Sequence, residues 1–190
     1  MGAPHNPQRY SEEWKVEDLL FIDNEIDAVK DLVVVSGGWA WHWMTPVAHP
    51  EYKHAHDHKD ADLFVSPEDV GELMEALEQR RFEKQWTRFD DHSTDFHRYV
   101  KHDDLDEEYR VDKRRKVILD LFTEEVPFVE TASGIRVVEP KHLLSLYGVK
   151  HSSGECWSVQ IAKELIAKGQ DPNGHPKMAD YAAIMKSRQG

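Results

Sequence analysis

Apolar and polar residues follow two rhythms along the chain, and together they predict a mixture of helices and strands. Helical spacing of apolar residues marks stretches 11–29 and 70–77, the second opened by Ser66 as cap and Pro67 at the first helical position. Short runs rich in Val, Ile, Leu and Phe mark strands. The predicted strands are 32–35, 60–65, 82–89, 96–101, 116–122 and 135–138. The other predicted helices are 39–43, 139–146, one that starts at Ser152 or Ser153 and ends at Ala167, and 178–185.

This order of elements favours an α+β fold in which helices flank a mixed β-sheet. Residues 96–101 follow residues 82–89 across a short turn, which predicts an antiparallel pair. We expect a single domain over residues 1–190, with 1–10 irregular and 139–190 forming a helical C-terminal part.

The stretch 32–65 organises the rest of the chain. An apolar strand leads into the turn Ser36-Gly37-Gly38, a short helix and a loop follow, and a second strand opens at Asp60. Because residues i and i+2 of a strand share a face, Asp60 and Asp62 project together. Two such carboxylates repel each other unless a cation lies between them, and hard oxygen ligands suit Mg²⁺. The glycines let a phosphate approach the backbone beside that site.

A third acid, Asp120, interrupts the apolar strand 116–122. A carboxylate in such a strand is costly unless it is paired or bound to a metal. We therefore expect Asp120 to be a metal ligand, or otherwise to pair with Lys116 or Arg114. Strand alternation places Ile118 on the same face as Asp120.

Charge and composition limit the possible partners. The chain of 190 residues carries a formal net charge of −12, which argues against a broad nucleic-acid surface or an anionic membrane surface. Its single cysteine, Cys156, allows no internal disulfide and fits a reducing, cytoplasmic compartment. No apolar run is long enough for a transmembrane helix, and the N-terminal residues lack the apolar core of a signal peptide.

These motifs resemble the nucleotidyltransferase superfamily, typified by DNA polymerase beta and the small antibiotic nucleotidyltransferases. The family pattern is a strand, a glycine turn, a helix and a strand carrying Asp-x-Asp, with a third acid on a later strand. Gly37 and Gly38 match the turn, Asp60 and Asp62 match the pair, and Asp120 matches the third acid. The resemblance spans residues 31–165, and stretch 135–153 looks like the tail of the toxin-type and lincosamide-type branches.

The resemblance implies a minimal nucleotidyltransferase-like fold and Mg²⁺- or Mn²⁺-dependent transfer of a nucleoside monophosphate from an NTP to an acceptor hydroxyl. It implies that Asp60 and Asp62 hold the metal that binds the triphosphate, and that Asp120 serves a second metal and the acceptor proton. The turn Ser36-Gly37-Gly38 would cradle phosphates, and Lys150 would approach them. The short, acidic chain favours a small molecule or a protein as acceptor over tRNA.

The chain departs from the family pattern in the long gap between Gly38 and Asp60, which contains His49, His54, His56 and His58. One interpretation of this loop is a zinc-binding run like that of metallo-β-lactamase-type hydrolases, because imidazoles suit Zn²⁺. The other is a polar loop at the rim of the cleft.

Three further hypotheses concern function and single residues. The fold could serve as a nucleotide-binding or regulatory module without turnover. Trp39 and Trp43 are spaced to share a helix face in the core, with stacking on a base as the alternative for one tryptophan of this helix. The cations of the predicted antiparallel pair could line the acceptor side or be exposed strand charges; they are Arg88, Arg98 and Lys101.

Overall fold

The computed structural model describes residues 16–44, 60–102, 116–148 and 167–168. Within these ranges the chain forms an α+β structure of one mixed sheet and four longer helices. The elements are α1 (Val16–Asp27), β1 (Val34–Val35), α2 (Gly37–Met44), β2 (Ala61–Val65), α3 (Val70–Gln79), β3 (Glu83–Gln85), β4 (Phe96–His102), β5 (Lys116–Thr123), β6 (Phe128–Glu130), β7 (Arg136–Val138) and α4 (Pro140–Gly148).

Over the described residues the sheet has seven strands in the order β3-β4-β5-β2-β1-β7-β6. The central pair β5 and β2 is parallel, as is the pair β1 and β7. The remaining neighbours are antiparallel, including the predicted pair of β3 and β4. The longest strand, β5, therefore lies between β4 and β2, the strand that follows Asp60.

The hydrophobic core lies on one face of the central strands. Leu63 of β2, Leu119 of β5 and Tyr99 of β4 are almost completely buried there. They belong to one apolar cluster with side chains of α1 and α3, such as Ile26 and Leu73. Because strand residues alternate between faces, the residues one position along, including Asp62 and Asp120, point to the opposite face.

The start of α3 follows the predicted capping chemistry but is displaced by one turn. The helix begins at Val70, after a turn in which the Asp69 N–H donates to Ser66 Oγ at 3.1 Å. The N–H of Val70 donates to the Ser66 carbonyl, also at 3.1 Å. Ser66 therefore satisfies amides in the turn that leads into the helix, but the N-cap is Asp69, so the predicted positions of Ser66 as cap and Pro67 as first helical residue are wrong.

Other boundaries differ from the sequence predictions where local pattern and pairing conflict. The predicted strand 82–89 is reduced to β3, because the chain turns at residues 88–92 after only three paired positions. The predicted connection 123–133 contains β6, whose Val129 pairs with Val137. Its residues are half-buried or exposed, so no apolar run announces this edge strand.

None of the helices in the described ranges combines the length and apolar character needed to cross a membrane.

Candidate active site

Three acidic residues lie on the sheet face opposite the main core. Asp62 of β2 and Asp120 of β5 are direct partners in the parallel register, so their backbones are about 4.8 Å apart. Asp60 precedes β2 by one residue and shares the face of Asp62 because it is two positions earlier. Asp120 is only 6% exposed, whereas Asp60 and Asp62 are half-buried. The fold thus brings the three predicted acids to one part of the sheet.

Arg98 of β4 lies directly opposite Asp120 in the antiparallel register and joins this cluster. Its Nε donates to Asp120 Oδ1 at 2.6 Å, and its Nη2 donates to Oδ2 at 2.5 Å. The same Nη2 lies 3.9 Å from Asp60 Oδ2. Such a two-pronged pair fixes the plane of the carboxylate as well as its charge.

All three acids affect the pKa of the Arg98 guanidinium. The pKa of its guanidinium is raised above the ordinary value, chiefly by the hydrogen bonds to Asp120. Partial burial opposes this rise, while the charges of Asp120, Asp60 and Asp62 reinforce it. The guanidinium therefore lies in the negative field that these carboxylates create together.

The structure corrects two expectations about this cluster. Asp120 pairs with Arg98, not with Lys116, which is exposed at the start of β5. The other predicted partner, Arg114, lies outside the described residues. Arg98 is not a solvated strand charge, because its side chain is 28% exposed and bound to Asp120. The signal in the sequence was the alternation of β4, which places Arg98 between Phe96 and Val100 on one face.

The glycine turn lies next to the acids. Gly37 follows β1, has a backbone φ of +61° and is buried. A Cβ at this position would overlap Asp62 Oδ2 and lie 3.3 Å from its Cγ. Only glycine combines this left-handed conformation with so close an approach to the Asp62 side chain.

The hydrogen bonds of Ser36 and the start of α2 determine which backbone N–H groups of the turn could donate to a phosphate. The Ser36 N–H donates to the Asp62 carbonyl at 2.8 Å, so this amide belongs to the sheet. Helix α2 begins at Gly37, and its first intrahelical bond runs from the Ala40 N–H to the Ser36 carbonyl. The amide of Gly38 therefore belongs to the opening turn of the helix, where intrahelical acceptors are lacking.

The tryptophans of α2 serve the interior. Trp39 and Trp41 are almost completely buried, and Trp43 is half-buried against the core cluster. Trp39 also contacts the His42 ring at a centroid distance of 4.7 Å. This packing anchors the helix whose first turn meets Asp62, and it leaves Trp43 as the most accessible of the three for the predicted stacking role.

Other predicted site residues lie outside the described ranges. These are Lys150 and the loop histidines His49, His54, His56 and His58, for which the proposed phosphate and zinc roles stay sequence predictions.

The acid cluster has the donor chemistry of a magnesium site, although a guanidinium now lies within it. Carboxylate oxygens are the ligands that Mg²⁺ prefers, and Arg98 marks a place that attracts positive charge. Among the residues that the structure describes, no group of three or more acidic, histidine or cysteine side chains is already arranged as a metal site. The acids fit a divalent cation if Arg98 yields part of its contacts.

Comparison with known proteins gives no match, either to a protein-family model or to a curated protein sequence.

Proposed function

We propose that the chain is a metal-dependent nucleotidyltransferase that moves a nucleoside monophosphate from an NTP to an acceptor hydroxyl. The observation that carries this proposal is the register of the sheet. Asp62 and Asp120 are partners on adjacent parallel strands, with Asp60 on the same face and the Gly37 turn against Asp62. In this arrangement the glycine turn and Asp62 can contact the triphosphate while Asp120 contacts the acceptor hydroxyl of the same phosphoryl-transfer reaction.

Asp60 and Asp62 would hold the divalent cation, Mg²⁺ or Mn²⁺, through their carboxylate oxygens. When bound, such a cation neutralises charge on the phosphate oxygens and orients the triphosphate. The opening amides of α2 lie on the Asp62 side of the cluster, where they can donate to phosphate oxygens. Asp120 would serve a second metal and accept the proton of the acceptor, as the family resemblance implies.

The reaction balances with the groups that the chain supplies. Asp120 accepts the proton of the acceptor hydroxyl, and the acceptor oxygen forms a bond to the α-phosphorus. The bond from the α-phosphorus to the bridging oxygen breaks, and pyrophosphate leaves with the electron pair. Arg98, bonded to both Asp120 oxygens, holds that carboxylate in a fixed plane.

A nucleotide-binding module without turnover is the second candidate. The observation that favours it is the same two-pronged pair, because a carboxylate held on both oxygens by Arg98 has fewer lone pairs to offer a metal or a proton. For such a module, Asp120 and Arg98 would stabilise the fold, and Asp60 and Asp62 would contribute to nucleotide binding.

The decisive test compares Asp120→Asn with Asp62→Asn, using calorimetric binding of ATP with Mg²⁺ and pyrophosphate release with a panel of hydroxyl acceptors. Asp120→Asn should lower transfer by roughly 10²-fold or more, because the proton acceptor is lost, while nucleotide affinity changes little. Asp62→Asn should weaken both, because the metal that carries the triphosphate is loosened.

The control is Asp91→Asn, an exposed acid in the turn before β4, which should match the parent in both assays. Equal turnover by Asp120→Asn and the parent would overturn the catalytic role. Nucleotide binding without transfer to any acceptor would favour the binding module, and absence of NTP binding with Mg²⁺ or Mn²⁺ would overturn both candidates.

A further inference from the structure

A pocket of about 520 Å³ opens beside Asp120, on the side of β5 that faces β4. Its floor is formed by Phe96 and Phe122, which are partners in the register of β4 and β5, and Phe89 closes one side. Arg98 and Asp120 line the end nearest the acid cluster. The volume is that of a small-molecule site, so the pocket matches a compact ligand better than a folded partner.

The phenylalanines of this pocket form a continuous aromatic wall. The centroids of Phe89 and Phe96 are 5.4 Å apart, and those of Phe96 and Phe122 are 5.3 Å apart. Phe64 extends the row, 5.4 Å from Phe122. At these separations the rings hold one another in tilted and edge-to-face arrangements, so the wall is preformed.

Phe89 is the exposed end of the wall. Phe89 is 52% exposed, although a position in a surface turn is usually occupied by a polar residue. Exposed aromatic surface beside a concave site indicates a ligand contact. The Arg88 guanidinium lies 5.1 Å from the centroid of the Phe89 ring, so one face of this ring already contacts a cation.

The rim of the pocket is acidic. Asp95 and Glu124 line it and are both exposed, while the charge of Asp120 is balanced by Arg98 at the inner end. A positively charged group at the rim would therefore gain attraction that a negatively charged group would lose.

The pocket lies across the cluster from the glycine turn. In the sheet order, Gly37 follows β1 beyond β2, whereas the pocket lies over β5 and β4. Asp120 stands between the two sides, so a triphosphate near Gly37 and a second molecule in the pocket would meet at Asp120. This position suits the acceptor and leaves the nucleotide on the other side.

We infer that this pocket is the acceptor site and that its ligand is a small phenol carrying a cationic group. The inference rests on the proposed function for the transfer step and on the pocket alone for binding. The ring would pack on Phe89 and Phe96, the cation would face Asp95 and Glu124, and the hydroxyl would reach Asp120. A phenol loses its proton near pH 10, far more readily than an aliphatic alcohol, so its transfer demands less of the proton acceptor. The proton passes to Asp120, the phenolic oxygen bonds to the α-phosphorus, and pyrophosphate departs.

Binding is tested first without nucleotide, by ligand-observed NMR titration of the full chain. The probes are tyramine, which has ring, hydroxyl and ammonium; ethanolamine, which lacks the ring; and 4-hydroxyphenylpropionate, which reverses the charge. Tyramine should bind at least about tenfold more tightly than either of the others. Equal binding of ethanolamine and tyramine would overturn the aromatic site, and equal binding of the two phenols would overturn the charge preference.

Phe89→Ala should weaken tyramine about tenfold, because the exposed ring contact is lost. Phe128→Ala is the matched control: Phe128 is 49% exposed, has Arg136 at 5.4 Å from its ring and lies on β6 at the other edge of the sheet. It should bind tyramine like the parent, and an equal loss in both variants would overturn the assignment.

ATP with Mg²⁺ separates this inference from the proposed function. Phe89→Ala should bind ATP as the parent does, and loss of ATP affinity would show that the pocket takes the base, which overturns the acceptor assignment. Transfer to tyramine but not to phenethylamine, which lacks the hydroxyl, supports the inference. If the parent protein binds ATP and transfers to other hydroxyl acceptors but not to tyramine, the inference alone is overturned. If the parent protein binds tyramine but no nucleotide, the proposed function is overturned and the binding site is not.

Discussion

Two buried carboxylates, Glu25 and Asp120, lie on opposite faces of the sheet and differ in how they are paired with cations. Glu25 of α1 is 5% exposed and is bound by two cations, with Arg80 Nε 2.9 Å from Oε2 and Lys101 Nζ 2.6 Å from Oε1. At Asp120 one guanidinium, that of Arg98, is shared with Asp60 and lies in the field of Asp62 as well.

This difference in pairing distinguishes a structural ion-pair network at Glu25 from the candidate site at Asp120. Each Glu25 oxygen has its own cation, and the three side chains tie α1 to the end of α3 and to β4. Around Arg98 the charges of Asp120, Asp60 and Asp62 all act on the same guanidinium. Arg98 and Lys101 lie on the same strand but point to opposite faces, so β4 supplies the cation to both.

The largest expected effect is on stability at the structural pair. Glu25→Gln should lower the free energy of unfolding by about 3 kcal/mol, because it removes the charge between two partly buried cations. Binding of ATP with Mg²⁺ should stay at the parental value. Denaturant unfolding checks the first outcome and calorimetry the second.

The control for that measurement is Glu72→Gln, an exposed acid on α3, which should change stability by no more than about 0.5 kcal/mol. A large loss of nucleotide affinity in Glu25→Gln would break the distinction between the two faces.

A smaller loss is expected at the glycine turn. Gly37→Ala should destabilise the chain by about 2 kcal/mol, because alanine is strained at a φ of +61° and its Cβ would meet the Asp62 side chain. It should also weaken ATP binding with Mg²⁺, since the displaced carboxylate belongs to the proposed metal site. Thermal unfolding and calorimetry together measure both effects.

Gly71→Ala in α3 is the matched control, because a Cβ there meets nothing within 4 Å. It should leave nucleotide binding unchanged and stabilise the helix by up to about 1 kcal/mol. Parental ATP affinity in Gly37→Ala would remove the turn from the site.

The smallest effect sharpens the comparison of charges. Arg98→Met and Lys101→Met each remove one cation, and both should destabilise the chain. Mg²⁺ at a concentration of about five times its Kd should restore about 1 kcal/mol to Arg98→Met only, because the acids there can bind the metal instead. Thermal melts with and without MgCl₂ give the result. Equal recovery of both variants would mean that Mg²⁺ acts generally and not at the acid cluster.

The sequence predicted the parts of this arrangement that depend on neighbours along the chain. The alternation of β2 placed Asp60 and Asp62 on one face, and the apolar strand 116–122 marked Asp120 as an acid needing a partner. The antiparallel pair of β3 and β4 also followed from the turn between them, and it is present. Period and turn chemistry are local, so a single sequence carries them.

The remaining features depend on contacts distant in sequence. That Asp62 is opposite Asp120 follows from the parallel pairing of β2 with β5, which no local pattern specifies. Arg98 was missed as the partner of Asp120 because that contact depends on the register of β4 against β5, which pairs residues 22 positions apart in the sequence. The short strand β6 was missed because its exposed residues give no apolar signal.

The ends of the sheet have a consequence for how the protein behaves at high concentration. The edge strands β3 and β6 are each three residues long, and the side chains of β3 are all exposed, with Glu83 and Lys84 among them. Short edges that carry charge are poor templates for strand addition by another chain. Copies of the protein should therefore resist joining their sheets edge to edge, even though the inner strand β5 is eight residues long and mostly apolar.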